Sequence, residues 1–98
     1  MAKKRKLHQL IGTIKYCWAG VSKDKRWPNQ PFYCLDIISE SLFNTQKETI
    51  YVFPNLVSKD IWNTLATEAF KGKKYSFACE KRTRGWRLKD WAELTENN

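Results

Sequence analysis

Toward the carboxyl end of the chain, Lys81-Arg82-Thr83-Arg84-Gly85-Trp86-Arg87-Leu88-Lys89 gathers five cations and a tryptophan. A second stretch, Lys23-Asp24-Lys25-Arg26-Trp27, repeats the combination. Cations attract phosphate oxygens, and a flat aromatic face accepts a stacked base at about 1–3 kcal/mol per base. Cations interleaved with aromatics are therefore the side-chain chemistry that single-stranded nucleic acid calls for. The residues assigned to such a site are the cations Lys15, Lys25, Arg26, Arg82, Arg84, Arg87 and Lys89, with Trp27, Tyr33, Tyr51, Phe53 and Trp86 as platforms. Trp18, Lys23, Lys74 and Trp91 join the wider pool, although Trp18, like Trp62, Tyr75 and Phe77, is expected rather to pack, since apolar area drives burial.

Other chemistries find no constellation. The single histidine, His8, lies near the start of the chain, and Asp36 sits inside an apolar run with no companion carboxylate at a defined spacing. Gly12, Gly20, Gly72 and Gly85 stand singly, so no phosphate-cradling glycine loop is present. Cys17, Cys34 and Cys79 lack the short spacings of zinc or redox motifs, and an odd number argues against a disulfide scaffold. No catalytic residue, metal site or cofactor is expected. A reducing compartment follows from the cysteine usage, cytoplasm or an organelle stroma.

Length and composition agree with a binding module. Ninety-eight residues make one domain, with 42% hydrophobic and 29% charged residues, ordinary globular values. The unusual figures are 18 Lys+Arg against 10 Asp+Glu, a net charge of +8, and 14% aromatic residues. No apolar run approaches the roughly 18 residues a spanning helix needs, so no membrane is expected as a partner. Residues 1–6, Met-Ala-Lys-Lys-Arg-Lys, read as a basic flexible arm. The stretch after them is broken by His8, Gln9, Gly12 and Thr13 and lacks the continuous apolar core of an export signal.

The elements that position these residues are legible as changes of period. Leu10, Gly12, Ile14, Tyr16 and Trp18 alternate with Ile11, Thr13, Lys15 and Cys17, a first strand in which Gly12 suggests a bulge or bend. The stretch from Val21 to Pro31 has loop chemistry. Phe32 to Ser39 is rich in β-branched and aromatic residues and reads as a second strand, with Asp36 on its wetter face. Asn44 to Lys47 reads as a connection, and Thr49 to Pro54 as a third strand, with Ile50 and Val52 opposite Tyr51 and Phe53. Leu56, Ile61, Leu65 and Ala69 then take helical spacing, with Ser58 as N-cap and Gly72 as stop, a helix of about twelve residues. Lys73 to Lys81 and Trp86 to Leu94 are a fourth and fifth strand around the turn Arg82-Thr83-Arg84-Gly85.

Three strands, a helix and two strands in one small domain is the order of the oligonucleotide-binding (OB) fold: all-β with one helix, a five-stranded Greek-key barrel with its helix between strands 3 and 4. The domain is expected over residues 7–94, with residues 95–98 as a short end. In this fold, the loops joining strands 1 to 2 and 4 to 5 flank the binding face, which is where the two basic stretches fall.

Leu10-Ile11-Gly12-Thr13-Ile14 resembles the opening strand of bacterial and organellar single-stranded-DNA-binding proteins. Ile50-Tyr51-Val52-Phe53, the helix from Ile61 to Phe70, and Lys71-Gly72-Lys73-Lys74-Tyr75-Ser76-Phe77 resemble that family's third strand, helix and fourth strand. The resemblance spans residues 7 to 94 at the level of pattern. Replicative members carry a long Gly/Pro-rich tail with an acidic tip, whereas this sequence ends at Asn98, so the likeness is to short relatives such as primosomal replication protein B or the tail-less plastid-encoded members. The resemblance implies non-catalytic binding of single-stranded DNA in replication, repair or recombination, and assembly as a homodimer or homotetramer. RNA binding, or service as a protein-interaction module, are the alternatives that the same residues allow.

Overall fold

The computed structural model describes residues 7–23, 25–26, 29–40 and 45–94. The basic arm, Asp24, Trp27, Pro28 and the last four residues lie outside the described residues, so the assignment of Trp27 has no structural counterpart here. Five strands and one helix follow in the expected order: β1 Leu7–Val21, β2 Pro31–Glu40, β3 Thr45–Val52, α1 Lys59–Ala66, β4 Lys74–Arg82 and β5 Gly85–Leu94. The strands close into a barrel in the order β1-β2-β3-β5-β4. All neighbours are antiparallel except β3 and β5, which meet in parallel at Ile50↔Trp86 and Tyr51↔Arg87. This is the OB-fold topology read from the order of elements.

β1 serves both halves of the barrel. Its first half pairs with β4 from Leu7↔Glu80 to Thr13↔Lys74, and its second half pairs with β2 from Gly12↔Ser39 to Val21↔Pro31. Gly12 stands at the crossing, where a Cβ would lie 2.1 Å from the Ile38 carbonyl oxygen. Glycine is needed there for close approach of backbones. Of the bulge or bend expected at Gly12, the passage of β1 from one partner strand to the other falls there, while the bulge lies between Ile14 and Tyr16, with Lys15 as the extra residue. One inserted residue reverses the inward and outward sense of everything after it. Ile14 and Cys17 therefore turn toward the core while Tyr16 and Trp18 turn out, each about half exposed, at 54% and 49%. The expectation that Trp18 packs inside is corrected by that shift of phase.

The core is built by alternation. Leu35 and Ile37 of β2, Ile50 and Val52 of β3, Phe77 and Cys79 of β4 and Leu88 of β5 are fully buried. Ile61 and Leu65 of the helix join this core, and so does Phe70. Ser58 caps it, its Oγ accepting from the Ile61 N–H at 3.3 Å. The helix is shorter than its sequence period suggests because Glu68 adopts a left-handed φ of 59°. Ala69 N–H then bonds the Thr64 carbonyl at 3.0 Å and Glu68 N–H bonds that of Leu65 at 3.3 Å, the paired bonds of a Schellman ending. β3 begins at Thr45, so residues 45–47, expected in a connection, extend the ladder with β2 through Glu40↔Thr45.

Candidate nucleic-acid interface

Register decides which side chains share the outer face. Across β1, β2 and β3 the rows are Tyr16, Asp36 and Thr49, then Trp18, Cys34 and Tyr51, with Arg87 of β5 next to Tyr51. One row further, Gly20 lies opposite Phe32. Phe32 sits 6.2 Å from the Tyr51 ring and 5.9 Å from that of Phe53. The Tyr16 and Trp18 rings lie 6.0 Å apart and 20° from parallel. Five aromatic side chains thus occupy one outward surface of a three-stranded sheet.

This surface runs into a groove of about 670 Å³. Phe32, Tyr51 and Phe53 form its apolar floor, and Lys23, Arg26, Arg82, Arg84 and Arg87 contribute its charge. No acidic residue lines it among the described residues. The loop between β1 and β2 is braced at its base by Ser22 N–H to the Gln30 carbonyl, 2.7 Å, and Asn29 N–H to that of Ser22, 3.1 Å. Gln30 Nε2 then donates to Asn55 Oδ1 at 3.1 Å, tying this loop to the segment that leaves β3. At the other wall, Gly85 has a φ of +105°, and a Cβ there would lie 2.7 Å from the Thr49 carbonyl oxygen. The tight turn keeps Arg82 and Arg84 at the mouth of the groove.

Of the residues chosen from sequence, Arg26, Tyr51, Phe53, Arg82, Arg84 and Arg87 converge on the groove. Arg87 does so while paired to Glu80, its Nη2 3.0 Å from Oε1. Lys25 is exposed in the loop without lining the groove. Lys15 lies at the far end of the aromatic surface, its Nζ 5.7 Å from the Tyr16 ring centre. Lys89 turns toward Glu80 at 3.8 Å.

Tyr33 and Trp86 are elsewhere. Tyr33 has the parity of Leu35 and packs inward, 4.6 Å from the Trp62 ring. Trp86 has the parity of Leu88 and is only 9% exposed. Its Nε1 donates to Glu48 Oε2 at 2.9 Å, His8 meets its edge, and Lys81 covers its ring at 4.6 Å. A base has no open face of Trp86 to stack on. Trp91 likewise lies on Tyr75, 4.3 Å away and 21° from parallel, where it seals the core.

Phe32, Trp18, Tyr16 and Lys23 are the residues that the site assignment omitted. For Phe32 the signal was present: Asp36 between Leu35 and Ile37 marks the even positions of β2 as outward, and Phe32 shares that parity. For Tyr16 and Trp18 no local signal announces the bulge that turns them out.

The thiols of this region are shielded. Burial raises the pKa of Cys34, and the nearby Asp36 carboxylate adds to the rise. Burial also pushes Cys17 up to about 11, with Glu68 and Cys34 contributing. Thiols held in the neutral form are poor nucleophiles and poor metal ligands. No cluster of three metal-ligating side chains exists among the described residues. Among them no helix is long and apolar enough to cross a membrane.

Fold and surface together define a class: a small OB-type barrel whose outer face carries aromatic side chains leading into a basic groove. No protein-family model, curated protein or solved structure matches the chain.

Proposed function

We propose that this protein binds single-stranded DNA, by stacking bases on the outer aromatic face and by pairing phosphates with the cations of the groove, and performs no chemistry on it. The observation that carries this reading is the coincidence, on one surface, of half-exposed Tyr16 and Trp18 with Phe32, Tyr51 and Phe53 and a rim of five cations. Aromatic area left in water forgoes the stabilisation that burial would give, and an unfilled flat surface beside a positive groove suits a polyanion with detachable flat bases. The face lies between the loops that flank ligands in OB folds. The resemblance of the sequence to single-stranded-DNA-binding proteins points the same way, toward replication, repair or recombination.

The test is a titration with oligothymidylate, following tryptophan emission at low salt and after added salt. Among the described residues Trp18 is the half-exposed tryptophan on this face, so quenching is expected in the wild type and reduced in Trp18→Leu. Absence of any binding at low salt would remove the proposal. The matching oligouridylate, run in parallel, reads the preference between the two sugars; tighter binding of that strand would reassign the ligand to RNA.

A further inference from the structure

One anionic side chain interrupts the aromatic face. Asp36 lies in the row between Tyr16 and Thr49, one row from Trp18 and Tyr51. Glu68 flanks the Tyr16 end beside Lys15 and Lys71, and Glu80 is paired to Arg87, so Asp36 is the carboxylate set within the aromatic rows themselves. A carboxylate in the path of a polyanion lowers affinity unless it does something else, because phosphates near it are repelled. Among the described residues, it accepts one hydrogen bond, from Thr49 Oγ1 to Oδ1 at 3.3 Å. The hydroxyl orients the carboxylate and leaves Oδ2 and further lone pairs of Oδ1 for an incoming donor. Residues opposite one another on adjacent strands are about 5 Å apart and diagonal ones about 7–8 Å, so Asp36, opposite Tyr16 and diagonal to Trp18, is within reach of the edge of a base lying on either ring.

We infer that Asp36 reads the Watson–Crick edge of a guanine stacked on the Tyr16–Trp18 end of the face, giving an otherwise sequence-tolerant surface one guanine-preferring position. The inference rests on the single-strand-binding reading above. Its chemistry follows from donors. Guanine alone presents two adjacent donors on that edge, N1–H and the N2 amine, which match the two oxygens of a carboxylate. Cytosine sets its amine beside the N3 acceptor, adenine does the same with N1, and thymine flanks a single N–H with two carbonyls. A charge-assisted, bidentate pair is also stronger than a neutral one. The arrangement orients the strand across the face, with phosphates along the arginines of the groove and base edges toward Asp36.

The experiment measures the affinity of the full chain for three labelled strands: oligothymidylate, the same strand with one central guanine, and the same strand with inosine there. An isolated guanine avoids self-association of guanine runs, and inosine lacks only the N2 amine. The guanine strand is expected to bind about tenfold more tightly than oligothymidylate, the gain of one good bidentate contact, with most of the gain lost for inosine. In Asp36→Asn the guanine advantage disappears while oligothymidylate binds as well as before or better, since a repulsive charge is gone. An unchanged melting temperature shows that this variant is folded, and the inosine arm makes the same test on the wild type. Equal affinity for all three strands, or a guanine advantage that survives Asp36→Asn, overturns the inference and leaves single-strand binding standing. If oligothymidylate and the guanine strand both fail to bind, the function and the inference fall together.

Discussion

Replacing Trp18 by leucine separates stacking from stability. The indole is 49% exposed and stacks loosely on Tyr16 at 6.0 Å, so half of its surface has nothing to lose on truncation. Leucine refills much of the remaining apolar contact, and the destabilisation is expected to stay below about 1.5 kcal/mol. The flat face, however, is gone. At about 1–3 kcal/mol per stacked base, affinity for oligothymidylate should fall roughly 5- to 150-fold. Tyr33→Leu is the matched control: its ring faces Trp62 at 4.6 Å on the inner side, so this variant should melt earlier and bind as the wild type does. Fluorescence anisotropy with a labelled oligothymidylate at about 50 mM salt, with thermal melting on the same samples, reads both quantities. Equal dissociation constants for Trp18→Leu and the wild type, or an equal loss of affinity in Tyr33→Leu, would refute the assignment of the outer face.

With Lys23, Arg26, Arg82, Arg84 and Arg87 on the groove, five phosphate contacts give a slope of log affinity against log salt of about −3.5, and Arg84→Gln should make it shallower by about 0.7. Salt titrations of both proteins measure this. Glu68 holds a left-handed φ of 59°, and its ion pair with Lys71 is exposed at 3.1 Å, so Glu68→Gly relieves more than it removes. Its melting temperature should rise by roughly 2–8 °C, for about 0.5–1 kcal/mol. Burial pushes the Cys79 thiol from 9.0 up to about 12, and Cys17 moves in the same direction. Between these values the folded chain holds protons that the unfolded chain releases, so this contribution to stability is complete below about pH 9 and is lost as pH rises toward 12. Urea midpoints measured from neutral pH upward should fall across that window, and fall less steeply in Cys79→Ala.

The order of strands, the position of the helix, its Ser58 cap and most of the basic groove are properties of the sequence alone. Alternating Ile50 and Val52 against Tyr51 and Phe53 is a local statement about one strand, and apolar burial makes that choice of face wherever the strand is used. The basic loops carry their charge without help from anything else. Long-range pairing decided the rest. Gly12 signalled a bend in β1, but the bulge at Lys15 depends on how β1 meets two other strands at once, which no window of neighbouring residues encodes. That bulge turned Trp18 outward, from an expected core residue to the outer aromatic face. Trp86 went the other way, because parity with Leu88 and a hydrogen bond to Glu48, 38 positions away in sequence, drew it into the wall. Composition could say that aromatics and cations were available for a single strand. Only barrel closure, which selects for each side chain the side with the lower free energy, could say which of them face it.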